Sequence, residues 1–363
     1  MSKFLISKLQ GLCEYVPGEQ PKDKKYIKLN TNESPFAVSN NVKAVLNNEV
    51  INDLKLYCDP ECTALTESFC KVYNVSYENV IFGNGSDEIL NYCFTAFFSD
   101  KNPVVFPDIT YGFYKVFGDL YHIDYTEIPL KEDFTISIDD YCGIAKNIVI
   151  ANPNAPTGIC LSVDEIEKIV KSNQDNIVVI DEAYIDFGGE SVYPLTSKYN
   201  NLIVTGTFSK SRSSAGARLG FAIADKQLIK DLNKIKFSTN PYNINSLTQA
   251  VGKAILDDND YYLNNCKKII ENREKTVKDL TDLGFEVLPS KANFIFAKHN
   301  CFDGEYLYNY LRENGILVRH FNKQRIKDYL RITIGTYEQM QALIDALRKV
   351  CKNERNNFKQ NNC

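Results

Sequence analysis

No Cys-x-x-Cys pair occurs among the 11 cysteines of the 363-residue chain, and its three histidines, His122, His299 and His320, are scattered. A zinc cluster therefore lacks ligands at workable spacing, and no metal is expected. The cysteine count is odd and Cys58 and Cys62 form the nearest regular pair, so reduced, mostly buried thiols are expected rather than a disulfide frame. No apolar run approaches the ~18 residues that span a bilayer. The start, Met1-Ser2-Lys3-Phe4-Leu5-Ile6-Ser7-Lys8, has neither a sustained apolar core nor a small-residue cleavage site. A cytoplasmic protein without a membrane partner is expected. An excess of basic residues is also missing. The net charge of -4 and pI near 5.6 argue against nucleic acid or an anionic membrane surface. A small molecule is the default partner. No internal repeat and no low-complexity linker is visible.

What is present suits a large domain joined to a smaller one. Hydrophobic residues make up 44% of the chain and charged residues 24%, enough to bury a sizeable core. The middle repeats one pattern, in which a short β-branched run ends in a polar or glycine-containing turn and a helical stretch follows. The runs are Asn79 to Phe82, Asn147 to Ile150, Ile177 to Ile180 and Leu202 to Val204. Such continuous apolar runs fit strands buried on both faces, and their alternation with helices predicts a mostly parallel sheet. Ser162-Val163-Asp164-Glu165 fits a capping box that opens one crossover helix, with Val163, Ile166, Ile169 and Val170 on one face. Asp87-Glu88 opens another directly after Gly83-Asn84-Gly85.

A polar, helix-breaking stretch from Ser238 to Asn243 marks a hinge. Beyond it, a long helical stretch to about Leu283 is expected. It is followed by strands Asn293 to Ala297, Ile316 to Phe321 and Tyr329 to Ile334, a helix near Glu305 to Arg312, and a closing helix capped by Thr336-Tyr337-Glu338-Gln339. The division expected is an N-terminal arm over 1-35, a large domain over 36-243, a small α/β domain over 244-351 and a frayed polar tail over 352-363.

Ligands of parallel α/β sheets bind beyond the carboxyl ends of the strands. Those ends carry Gly83 to Glu88, then Asn152-Pro153-Asn154-Ala155-Pro156-Thr157-Gly158, then Asp181-Glu182-Ala183-Tyr184, then Thr207-Phe208-Ser209-Lys210. A buried lysine loses basicity and can form an imine with an aldehyde. A neighbouring Asp181 can hold a pyridinium nitrogen protonated. Backbone N–H groups at Ser86 and Asp87, with Thr207, Ser209 and Arg218, can hold a phosphate. Arg331, inside the apolar run Leu330 to Ile334, requires an anionic partner, and Arg319 follows the same logic less strictly. The rival readings are weaker. Asp181 and Glu182 have no histidine beside them to complete a metal site, and the third glycine of a dinucleotide turn is Glu88 here.

The segment Thr207 to Phe221, with Ser209-Lys210 and Ala215-Gly216-Ala217-Arg218, resembles the lysine motif of class I/II aminotransferases of pyridoxal-phosphate fold type I. Asp181-Glu182-Ala183-Tyr184 begins 29 residues before Lys210, as that family's strand order requires. Leu29 to Pro35, Tyr57-Cys58-Asp59-Pro60-Glu61-Cys62, Pro107 to Tyr114, Gly315 to Asn322 and Leu330 to Thr336 are similar to signatures of its histidinol-phosphate branch, so the resemblance runs from about Tyr15 to Arg348.

The resemblance implies pyridoxal 5'-phosphate bound covalently at Lys210, with Asp181 at the ring nitrogen, Tyr184 at the ring oxygen and Tyr111 on the ring face. It implies Ser86, Asp87, Thr207, Ser209 and Arg218 at the phosphate, and Tyr57 reaching the phosphate of a partner subunit in a homodimer. Arg331 would bind the substrate carboxylate, with Arg319, Tyr15 and Asn32 lining the substrate pocket. The implied reaction is transamination of L-histidinol phosphate with 2-oxoglutarate. The alternatives are an aromatic amino-acid aminotransferase, a threonine-phosphate decarboxylase, and a cofactor-binding regulator without turnover. Two positions depart from the pattern. Ala155 replaces an Asn whose amide meets the ring oxygen, so that contact is lost or passes to Asn154, and Cys58 replaces a proline.

Overall fold

The β-branched runs of the middle of the chain pair into one seven-stranded sheet. The structure, a computed structural model, describes residues 4–360, with side chains through residue 352. The N-terminal segment contributes β1 (Ile27–Lys28). The large sheet holds β2 (Val80–Gly83), β3 (Val104–Pro107), β4 (Tyr125–Ile128), β5 (Asn147–Ala151), β6 (Val178–Asp181), β7 (Leu202–Thr207) and β8 (Gly220–Ala224) in the order β2-β8-β7-β6-β5-β3-β4. β3 to β7 run parallel, and β8 lies antiparallel between β2 and β7. Every residue of β5, β6 and β7 is buried, because helices cover both faces. The four runs read from the sequence are β2, β5, β6 and β7. β3 is as short and apolar but follows Asp100-Lys101-Asn102-Pro103, and edge strand β4 is half polar, so neither repeats the pattern.

The crossover helix Val163–Ser172 begins with the expected capping box, Ser162 and Glu165 each bonding the other's backbone N–H, and buries Ile166, Ile169 and Val170. The helix Ser86–Phe97 starts directly after the Gly83 to Gly85 turn and buries Ile89, Leu90, Cys93 and Phe94. Its N-terminus thus sits at the end of the sheet where β5, β6 and β7 finish.

A second, antiparallel sheet is built by β9 (Phe285–Val287), β10 (Phe294–His299), β12 (Arg319–His320) and β13 (Tyr329–Thr333) in the order β12-β13-β10-β9. The strand expected over Ile316 to Phe321 is split. Its first part, β11 (Ile316–Leu317), pairs in parallel with β1, and only β12 joins the sheet. The N-terminal segment is thereby fixed to the small layer. One face of that layer packs Ile295, Leu330 and Ile332 on Leu280, Leu307, Leu343 and Leu347. The other meets the large layer through Phe296, Tyr329 and Phe134.

Three expectations change. The long helix is interrupted at Asp258 into Ser246–Asp257 and Asn259–Asp282. The closing helix runs Tyr337–Gln360, so most of the presumed tail continues it, while 361–363 lie outside the described residues. Of ten described free cysteines only Cys62, Cys93 and Cys266 are buried, fewer than expected. Ile244, Val251 and Ile255 pack with Phe69, Phe82 and Phe221 of the large layer. We therefore propose that the division between layers lies near Asp258 rather than at 243/244.

Gly220 of β8 has no room for a side chain, since a Cβ there would lie 2.3 Å from the backbone of Gly85 and Ser86. Gly216, four residues earlier, has nothing within 4 Å of the same position. Gly220→Ala is expected to destabilise the fold by about 1–3 kcal/mol through overpacking. Gly216→Ala should leave the urea midpoint nearly unchanged; equal midpoints would refute the close approach.

Candidate active site

The polar ends of β5, β6 and β7 open into one cavity of about 380 Å³, closed on its other sides by Arg331 and Phe321 of the small layer and by Tyr15 and Asn32 of the N-terminal segment. Lys210 follows β7 and its Nζ donates to the Thr31 carbonyl at 3.2 Å. The same atom lies 5.9 Å from the centre of the Tyr184 ring. Burial lowers its pKa to about 8, and the positive charges of Arg331 and Arg218 add to this against the opposing pull of Glu33 and Asp87. At pH 7 about a tenth of this amine is thus unprotonated, far more than of an ordinary lysine.

Asp181, the last residue of β6, is 4% exposed. Its carboxylate accepts from the Tyr114 hydroxyl at 2.9 Å, from Thr205 Oγ1 at 3.3 Å and from the Ala183 N–H at 3.3 Å. Burial pushes its pKa up to about 6 against these hydrogen bonds, and the charge of Asp87 adds a little. The group remains mostly anionic at neutral pH.

Beside Lys210, the hydroxyl of Thr207 donates to Ser209 Oγ at 3.0 Å, and Arg218 reaches Ser209 Oγ at 3.4 Å and Asp87 Oδ2 at 3.2 Å. Tyr111 donates to the other Asp87 oxygen at 2.7 Å. Ser86 and Asp87 open a helix, whose first N–H groups have no partner within it. Gly85 has φ +82°, and a Cβ there would lie 2.3 Å from Arg218 Nη2. The turn therefore accepts only glycine if the guanidinium is to lie over it. Together these groups form a cradle for an anion.

Across the cavity, Arg331 Nη2 donates to the Asn30 carbonyl at 2.9 Å while its Nε is buried without a partner. Its guanidinium lies 5.5 Å from the Phe294 ring centre and 5.7 Å from that of Phe321. Arg319, half-buried, donates to the Val16 and Pro17 carbonyls at 3.2 and 3.3 Å. Tyr15 stacks on Phe113 at 4.4 Å and meets Tyr111 edge-on at 6.1 Å. Asn32 Nδ2 donates to the Tyr184 hydroxyl at 3.0 Å, and Asn32 is in turn tied to Thr333 and Asn293 of the small layer.

Two residues singled out in the sequence lie elsewhere. Asn154 gives its amide hydrogens to the Ile109 carbonyl and Thr157 Oγ1, and its oxygen accepts from Thr110 at 2.8 Å. Ala155, not Asn154, faces the cavity. Tyr57 is 84% exposed, outside the cavity, and stacks on Tyr242 at 4.5 Å. Two others went unread. Thr205 shares a face of β7 with Thr207 by its period-two spacing, a signal that was available. Tyr114 looks like aromatic core until the fold brings it to Asp181.

A family profile described as aminotransferase class I and II matches residues 24–347. The chain belongs to the class I and II aminotransferases. It is 50% identical to the histidinol-phosphate aminotransferase of Brachyspira hyodysenteriae over 354 residues, 97% of this chain and 100% of the relative. Among solved structures, the histidinol-phosphate aminotransferase of Sinorhizobium meliloti in complex with pyridoxal-5'-phosphate matches with a TM-score of 0.86 at 22% identity, covering 97% of this chain and 100% of that one. L-threonine-O-3-phosphate decarboxylase from Porphyromonas gingivalis matches with a TM-score of 0.78 at 23% identity, covering 90% and 99%. The fold is therefore shared by aminotransferases and a decarboxylase.

For this class I and II aminotransferase, the depressed basicity of Lys210 gives a direct expectation. Labelling of cofactor-free protein with trinitrobenzenesulfonate, read by peptide mass spectrometry, should modify Lys210 with a pH midpoint near 8. Arg331→Met removes a repelling charge and should raise that midpoint; an unchanged profile would refute the electrostatic account.

Proposed function

We propose that the protein transfers the amino group of L-histidinol phosphate to 2-oxoglutarate, giving imidazole-acetol phosphate and glutamate in histidine biosynthesis, with pyridoxal 5'-phosphate as cofactor. The observation that carries this reading is the desolvated Lys210 amine, sharing one cavity with the anionic Asp181 and the cationic Arg218 and Arg331. The choice of amine is supported by the 50% identity to a histidinol-phosphate aminotransferase along the whole of that relative.

The donor set fits the cofactor. A carboxylate offers about four acceptor positions. Protein donors at Asp181 are Tyr114, Thr205 and Ala183, which leaves room for a ring N–H. The cradle of Ser86, Asp87, Thr207, Ser209 and Arg218 would hold the phosphate, Tyr111 would lie against the ring face, and Tyr184 would donate to the ring oxygen. Because Asn154 is committed to Ile109 and Thr157, its amide would not join Tyr184 in that last contact.

When bound, the cofactor supplies an aldehyde carbon for the incoming amine and a ring that draws electrons from the bond being broken. Lys210 Nζ would hold the cofactor and, once the substrate amine takes its place, would take the proton from the substrate carbon and deliver it to the former aldehyde carbon of the cofactor. Asp181 keeps a proton at the ring nitrogen. Arg331 pairs its unpartnered Nε with the anionic group of either substrate, a phosphate or a carboxylate. Arg319, now on two uncharged carbonyls, gives a second cation within reach of the same cavity, and Tyr15 and Asn32 complete its wall.

We further propose a homodimer in which Tyr57 reaches the partner's phosphate cradle. Ile51, Leu54, Leu56 and Tyr57 form an exposed apolar stretch of the kind a subunit interface covers. A cytoplasmic location accords with the absence of disulfides among the described cysteines.

The test is substrate choice. With histidinol phosphate and 2-oxoglutarate the enzyme should form glutamate. Arg331→Ala should lower kcat/KM for both substrates roughly tenfold to hundredfold, the loss of a charge-assisted pair. Carbon dioxide released from phosphothreonine without any 2-oxo acid would overturn the transaminase reading.

A further inference from the structure

Asp181 can serve a ring nitrogen only as a carboxylate, yet it is 4% exposed, and no cation appears among the groups that most affect its ionisation. Its charge is held instead by three uncharged donors, of which the Tyr114 hydroxyl at 2.9 Å is the shortest, against 3.3 Å for Thr205 and for the Ala183 N–H. The charged neighbour Asp87 works against the carboxylate. Tyr114 is itself fully buried on the helix Phe113–Tyr121. Its ring is wedged edge-on against Tyr111 at 5.7 Å and tilted against Phe106 at 5.8 Å, so the hydroxyl has little freedom to turn away. Burial and the Asp181 charge hold the phenol well above its ordinary pKa, which keeps it a donor at any physiological pH.

We infer that Tyr114 is a positioning residue of the reaction, its hydroxyl fixing Asp181 as an oriented carboxylate and thereby setting how strongly the site grips a protonated ring nitrogen. This rests on the proposed pairing of Asp181 with that nitrogen. A buried phenol needs some hydrogen-bond partner in any case, so a purely structural role is the rival account. The two differ in what the hydroxyl acts upon. A structural role loosens the site for every ligand, whereas a role through Asp181 concerns only ligands that carry the nitrogen.

The experiment compares binding of pyridoxal 5'-phosphate with that of its 1-deaza analogue, in which carbon replaces the ring nitrogen, to full-length protein stripped of cofactor. Wild type should prefer the natural cofactor. Tyr114→Phe keeps the ring and its packing, and should cut that preference about tenfold or more while leaving affinity for the analogue unchanged. The unchanged analogue affinity also certifies that the variant is folded. Equal losses for both ligands, or a preference equal to that of wild type, would overturn the role of Tyr114 alone. A wild type that does not distinguish the two ligands would overturn the pairing of Asp181 with the nitrogen, and the inference with it.

Discussion

A partly buried amine without a fixed counter-ion is the constraint around which this fold is arranged. Lys210 has a carbonyl as its hydrogen-bond partner, and the cations Arg331 and Arg218 bear on it from different elements. Such a group is tolerated because it can shed its proton, and a neutral amine is what nucleophilic chemistry requires. The parallel sheet makes the arrangement possible. Strands β5 to β7 are buried on both faces, which rigidly fixes where their carboxyl ends stop. Asp181 and Thr205 are register partners on adjacent strands, and that pairing brings the threonine hydroxyl to the acid.

The second layer is coupled to this centre by polar contacts as well as by the edge-on packing of Phe294 against Tyr184. Asn32 links Tyr184 to Thr333 and Asn293, and Arg331 bonds the carbonyl of Asn30. The N-terminal segment lies between the two sheets, paired with β11 on one side and contributing Thr31 and Asn32 to the cavity on the other. A movement of the small layer would therefore be felt at both Tyr184 and Lys210. The backbone of Asn32 has φ +56°, a conformation Asn tolerates better than most residues, which helps explain why this residue type stands at the junction.

Much of this was legible in the sequence, for identifiable physical reasons. Strands buried on both faces announce themselves as unbroken Val and Ile runs, so β5, β6 and β7 and the residues following them could be read directly. The capping box at Ser162 was legible because its reciprocal hydrogen bonds are local. Contacts made across the fold were not. Nothing in the spacing of Tyr111 and Tyr114 says that one hydroxyl meets Asp87 and the other Asp181. The split of Ile316 to Phe321 depends on a distant partner, β1, and the orientation of Asn154 depends on the Ile109 carbonyl. Ala155 was visible as a departure, but only the fold shows that its neighbour's amide is already spent.

The central claim is that the chemistry is anchored at Lys210 and at no other of the chain's lysines. Borohydride reduction of the cofactor-loaded enzyme, followed by peptide mass spectrometry, tests it most directly. The account predicts that the added mass of one reduced cofactor appears on the peptide containing Thr207 to Arg212, at Lys210. The same mass on any other lysine, or on none, would contradict it.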